Sequence, residues 1–341
     1  MFYFLRIVLW IVLLALAGGV ALRLTRPPEI AVTEEIYRFE RARKEAAKAG
    51  NIIVYSRHTV DNAGRPLDNK KMAAWKILPE TAFAPTNGPA LQVVFVHDQD
   101  VTFAESINRG NYLAELLRQW TKQRRPETVM EFHTFSWRAD FGAGEFISAR
   151  LAAHAQSASL FDYLQSIGRP NTPVILLAHG LGAQLVLEAM HVRWERRINP
   201  RINAVLLVQP AVHRIDVSRG TFEQTVNDEL KVIRYEGKYF PDLFAANFVL
   251  ATCSATDGVL SQEFPEMPVG PGLASSAKRD AALGVPYHSN TEAEAFPRNF
   301  YLLDLSPGHH VDMSLPGHDS LYDTSGRRAL WTIWQRVLRQ L

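Results

Sequence analysis

The chain has 341 residues, 47% of them hydrophobic and 21% charged, which is enough apolar material for one large domain or two ordinary ones and too much for wholesale disorder. Lys+Arg totals 37 against 35 for Asp+Glu, a net charge of +2 that gives no sign of the basic face a nucleic-acid binder concentrates, so no nucleic-acid partner is expected. The single cysteine, Cys253, excludes an intramolecular disulfide framework and a cysteine-rich zinc site.

Residues 1–26 read as a membrane anchor. The stretch Phe2–Leu22 (FYFLRIVLWIVLLALAGGVAL) carries Arg6 as its only charge. About 21 residues at roughly 1.5 Å each span about 31 Å, the thickness of a bilayer's hydrocarbon core. A cleaved signal peptide is the competing reading, because Ala15-Leu16-Ala17 places small residues at a suitable spacing. The lipid bilayer is thus the expected partner of residues 2–22. Residues 27–50 form a charged connector: Pro27-Pro28 stops the anchor helix, Thr33 can cap a second one and Gly50 can end it.

From residue 51 to 341 short apolar runs alternate with longer helical segments. Strands are expected at Asn51–Tyr55, Met72–Ile77, Leu91–His97, Val129–Trp137, Val174–His179, Ala204–Pro210, Phe248–Cys253 and Phe300–Asp304. Helices are expected at Asn108–Gln123, Phe146–Ile167, Ala183–Arg196 and Arg327–Leu341. Strands such as VILLAH, without polar alternation, suit a parallel sheet covered on both faces. The expected fold class is α/β: a doubly wound, mostly parallel sheet following an N-terminal transmembrane helix. Residues 220–246 and 261–297 interrupt the alternation and are possible cap segments over a site.

The most informative segment is Val174–Ala189, VILLAHGLGAQLVLEA, an apolar strand followed by a glycine-flanked turn and a helix. Its pentad, Ala178-His179-Gly180-Leu181-Gly182, resembles the nucleophile elbow of the α/β-hydrolase family, in which the central residue is the attacking serine. Three further motifs extend the likeness: Val94–Phe103 (VFVHDQDVTF), Ser136-Trp137, and the ending LPGHDSLYD. Together they resemble a lipase- or esterase-like subgroup of bacterial hydrolases with FVHGYN, SWPS, AHSxG and GHSYF patterns. The resemblance covers about residues 91–341 and implies an α/β-hydrolase fold, Asp257 as charge-relay acid and His318 as base, with His309 and His310 as alternatives. It also implies Leu181 and Gln99 as backbone oxyanion donors, and His97, Asp98 and His179 around the pocket.

Two positions depart from the family pattern. Gly180 stands at the nucleophile position and has no side-chain oxygen, and Asp98 replaces the glycine after His97. An ionised, inward Asp98 would oppose the negative charge that develops in acyl transfer. A serine mechanism is therefore disfavoured. The reading that follows is a membrane-anchored hydrolase relative acting as a binding module, with a small acyl or ester compound as a possible ligand. An active hydrolase using activated water or an atypical nucleophile, and a membrane-associated scaffold or assembly factor, are the alternatives. The globular part would lie on the periplasmic side of a single-pass anchor. No cofactor is expected. His309, His310, Asp312, His318 and Asp319, with His97, Asp98 and Asp100, make a His/Asp-rich set, but no spacing such as H-E-x-x-H marks a metal site.

Overall fold

The structure, a computed structural model, describes residues 40–67, 75–78, 90–142, 145–196, 202–226, 229–263, 282–286, 295–306, 318–322, 324 and 326–341. The chain separates into two units, residues 1–41 and 42–341, and the fold that follows is that of the second. The expected anchor at 2–22, the residues His309, His310 and Asp312, and most of the expected segment 261–297 lie outside the described residues. Among the described residues no helix is long and apolar enough to cross a membrane.

Helix α1 (Glu40–Ala49) leads into β1 (Asn51–Tyr55), and the short strand β2 (Lys76–Ile77) turns back on it. Then come β3 (Ala90–Val96), α2 (Phe103–Arg124), β4 (Val129–Ser136), α3 (Phe146–Ile167), β5 (Val174–His179), α4 (Gly182–Arg196) and β6 (Ile202–Val208). The chain continues through a ribbon of β7 (Arg219–Val226) and β8 (Glu229–Glu236), then β9 (Ala246–Cys253), β10 (Phe300–Asp304) and α5 (Arg327–Gln340). The main sheet has eight strands in the order β10-β9-β6-β5-β3-β4-β1-β2. Every neighbouring pair is parallel except β1–β2. The expected strand at 72–77 is described only as Lys76–Ile77, and the interruption at 220–246 holds the β7–β8 ribbon, which pairs antiparallel outside the main sheet.

Side chains alternate across the central strands, so both faces of the sheet are apolar and both must be covered. Val94, Val96, Leu176 and Ala178 face one core with Ala149, Ala153 and Leu160 of α3 and Leu185 and Val186 of α4. Val93, Phe95, Ile175 and Leu177 face the other core with Leu113 and Leu117 of α2 and Ile333 and Trp334 of α5. Strand order reverses between β3, followed by β4 on one side, and β5 on the other. In open parallel sheets such a reversal leaves a crevice outside the carboxyl ends of the strands.

Two local devices aim the loops into that crevice. Helix α2 starts with a capping box: Thr102 Oγ1 accepts from the Glu105 N–H at 3.3 Å and the Thr102 N–H donates to Glu105 Oε2 at 2.9 Å, fixing the chain just after Asp98. At the start of α4, a Cβ on Gly182 would lie 2.4 Å from the His97 carbonyl oxygen and 2.6 Å from that of Val96. Only glycine lets the α4 N-terminus close on the end of β3, and this brings residues 97–98 against residues 180–182.

Candidate active site

The turn between β5 and α4 is built on Gly180, whose φ of +52° is the left-handed conformation that glycine adopts without a Cβ penalty. Its N–H donates to the Val208 carbonyl at 3.1 Å, and its own carbonyl accepts from Ala211 N–H at 3.0 Å. The elbow is therefore tied to the end of β6. The space that a side chain at 180 would fill is taken by Asp98: a Cβ there would meet Asp98 Oδ1 at 2.0 Å and Cγ at 2.1 Å.

Asp98 is buried at 4% exposure and its carboxylate is fully engaged. Oδ1 accepts from the Leu181 N–H at 2.6 Å, and Oδ2 accepts from His318 Nε2 at 2.6 Å. On its other side, His318 Nδ1 donates to Asp257 Oδ2 at 2.8 Å. Asp257, wholly buried just beyond β9, also accepts from Gln209 Nε2 at 2.9 Å and from Leu260 N–H at 3.0 Å. Residues 98, 257 and 318 thus form one line of two carboxylates around one imidazole, beside Gly180. Leu181 supplies its N–H to this line; no hydrogen bond from Gln99 into it is present among the described residues.

The charges are strongly coupled. Burial alone would pull the His318 imidazole down, but the negative Asp98 beside it and the hydrogen bonds to both carboxylates override that and lift it to about 10. Burial would push Asp98 up, but the positive His318 and its hydrogen bond hold the carboxyl well below the usual carboxylate range. His318 is therefore an imidazolium at neutral pH, with both ring nitrogens donating.

His179, at the end of β5, is lowered to about 4 by burial and then by the charge on His318, so it stays neutral. Its Nε2 donates to the His318 carbonyl at 2.8 Å, while the Tyr322 hydroxyl donates to its Nδ1 at 3.2 Å. The rings of His179 and His318 lie 4.7 Å apart between centroids. Arg109 of α2 lies 4.6 Å from the Tyr322 ring centre and pairs with Asp319 at 3.0 Å, so the turn carrying His318 is pinned from two sides. His97 is occupied elsewhere: its Nδ1 donates to the Asp98 carbonyl at 2.8 Å, its Nε2 accepts from the Trp137 N–H at 3.3 Å, and burial lowers it to about 3. Cys253 is buried in β9, and desolvation pushes its thiol up to about 12.

The sequence patterns name Asp98, His179, Gly180, Leu181, Asp257 and His318, and the fold brings all six together. It keeps the His97 ring on Trp137 and leaves His309 and His310 outside the described residues. Gln209 and Arg109 also belong to the site and carry no family motif, and Tyr322, within the LPGHDSLYD ending, was not named as a site residue. Tyr322 had a signal in its spacing, one helical turn beyond His318. Gln209 had none, because nothing local marks a glutamine after a strand as the partner of a carboxylate 48 residues away.

A mostly parallel sheet with an acid and a histidine converging on a strand–turn–helix elbow defines an α/β-hydrolase-type protein, here with no hydroxyl on the elbow. Residues 87–244, a little under half of the chain, match the family described as "Alpha/beta hydrolase of unknown function (DUF900)". The match takes in Asp98, the elbow and the β7–β8 ribbon; Asp257 and His318 lie beyond it. No curated protein matches the chain. Among solved structures, an esterase from Pyrobaculum calidifontis is 12% identical over 74% of this chain and 78% of its own, with a TM-score of 0.37. A structure described as an arylesterase is 11% identical over 92% and 96%, with a TM-score of 0.37. A thioesterase of the prodiginine pathway of Streptomyces coelicolor is 12% identical over 77% and 92%, with a TM-score of 0.34.

Proposed function

We propose that this protein is a non-acylating α/β-hydrolase relative whose former catalytic centre has become a binding site, tethered to a membrane by residues 2–22. The observation that carries the reading is the Asp98 carboxylate lying in the volume of an elbow side chain, bonded both to the Leu181 N–H and to His318.

Acyl transfer needs a nucleophile, a neutral base and free N–H groups for the oxyanion. Position 180 offers no nucleophile. The base already holds a proton. The Leu181 N–H already holds an anion, so an ester carbonyl would have to displace a charge-assisted hydrogen bond of about 1.5–3 kcal/mol. A tetrahedral oxyanion forming about 4 Å from Asp98 would add roughly 1–4 kcal/mol of repulsion. All of these terms oppose catalysis. The membrane tether rests on the apolar run Phe2–Leu22 alone.

The test is incubation of the full-length protein with a fluorophosphonate, followed by intact mass measurement and assay of short-chain p-nitrophenyl esters. No adduct and no turnover above background are expected. A site adduct, or turnover abolished by His318→Gln, would overturn the reading. Retention of the protein in the membrane pellet after alkaline carbonate washing tests the tether.

A further inference from the structure

We infer that Asp98, His179 and His318 are the ligands of a divalent transition-metal site of the zinc type, a conclusion that rests on the non-acylating reading of the same centre. One ligand atom from each of the three side chains lies within 4.8 Å of the others. The three come from separate elements, the loop after β3, the end of β5 and the turn before α5, so the fold itself gathers them. Two imidazoles and a carboxylate form a borderline donor set that suits zinc and its first-row neighbours. The harder calcium and magnesium ions favour all-oxygen sets.

The surroundings have the form of an outer ligand shell. Asp257 accepts from His318 Nδ1 at 2.8 Å and is itself held by Gln209 and Leu260, so the Nε2 of His318 is directed at Asp98. A carboxylate behind a ligating histidine is the usual way of fixing its ring and raising its basicity. His179 is the residue that a bare acid–base line leaves without a chemical role. Its Nε2 is held by the His318 carbonyl at 2.8 Å, so the donor left for a metal is Nδ1, which accepts from the Tyr322 hydroxyl at 3.2 Å and is freed when that bond opens. Asp98 and Asp257 also bring two carboxylates to one imidazole, and a divalent ion balances both.

Loading requires a small rearrangement. Metal–ligand bonds of about 2.0–2.2 Å at tetrahedral angles place a nitrogen and an oxygen about 3.3 Å apart. The 2.6 Å contact between His318 Nε2 and Asp98 Oδ2 must therefore open by about 0.7 Å. The Nε2 proton of His318 leaves to solvent, and its lone pair binds the metal in the proton's place. The fourth position goes to water.

The experiment is titration of the full-length protein with Co2+, read by the visible d–d bands of a tetrahedral or five-coordinate site, and with Zn2+ in competition with a chromophoric chelator. One ion per chain and an intense visible band are expected. His179→Gln should remove the band. Asp257→Asn should keep it while weakening zinc by about 10–100-fold, as loss of an outer-shell partner does. Tyr322→Phe, which frees His179 Nδ1 without touching the two carboxylates, should tighten zinc several-fold. Absence of a band from the folded wild-type protein, equal zinc affinity in His179→Gln, or no gain in Tyr322→Phe would overturn the assignment. A protein inert to fluorophosphonate that binds no cobalt fails this inference alone; a protein that forms the adduct fails the reading beneath it.

Discussion

Restoring a serine at the elbow is expected to fail unless Asp98 is removed with it. A Cβ at residue 180 would sit 2.0 Å from Asp98 Oδ1, where ordinary contact begins at 3.4 Å, so the carboxylate must retreat by about 1.4 Å. That movement breaks its 2.6 Å bonds to the Leu181 N–H and to His318. Each is a charge-assisted hydrogen bond of about 1.5–3 kcal/mol. The left-handed φ at 180 adds about 1–2 kcal/mol once a side chain is present. Gly180→Ser should therefore destabilise by about 4–8 kcal/mol, a large share of the stability of a typical domain. A fall in melting temperature on the order of 10 °C or more follows, with no esterase activity. In the double variant Asp98→Gly/Gly180→Ser the carboxylate is gone, the new hydroxyl can take its place on His318, and the Leu181 N–H is free. With one carboxylate left beside it, His318 falls toward its ordinary range and can act as a base. The double variant should recover most of the lost stability. It should hydrolyse p-nitrophenyl acetate roughly 10²-fold faster than Asp98→Gly, the lower range of general-base assistance. The assays are differential scanning calorimetry and release of p-nitrophenol. If Gly180→Ser alone melts like the wild type and labels with a fluorophosphonate, Asp98 does not hold that space and the reasoning fails.

Three further outcomes are expected. The His318 pairing stabilises the fold below its ordinary value of 6.5 and is lost as pH rises toward about 10, whereas that of Asp98 is lost only in strong acid; urea midpoints should fall between pH 7 and 10, and His318→Gln should flatten that alkaline limb. Cys253, with its buried and raised thiol, should react with a thiol reagent such as 5,5′-dithiobis(2-nitrobenzoate) only as fast as the protein unfolds; fast labelling of the native protein would contradict its placement in β9. Gly110→Ala adds about 1 kcal/mol of helix propensity to α2, but its Cβ would lie 2.0 Å from Thr134 Oγ1 and 2.7 Å from Asn51 Nδ2. Overpacking of about 1–3 kcal/mol against that buried network should outweigh the gain, giving a net loss in chemical denaturation.

The layered architecture was legible in the residue pattern, because periodicity is a local property. Phe146–Ile167, Val174–His179 and Phe300–Asp304 occupy the residues their apolar patterns predict. The elbow was equally legible, since the strand, the glycines and the helix that make it lie within sixteen consecutive residues. The β7–β8 ribbon was not, because charged and polar residues break RGTFEQTV and ELKVIRYE into fragments with no apolar run like those that mark the main-sheet strands. The central contacts of the site could be settled only by the tertiary structure. Asp98 reads in sequence as an acid beside an oxyanion loop. Its meeting with Leu181 across 83 residues and with His318 across 220 depends on the strand order β5-β3-β4 and on the close approach that Gly182 allows. Local propensity places each side chain on its loop; only packing decides which loops share a crevice, and there the carboxylate fills the volume that a serine would need.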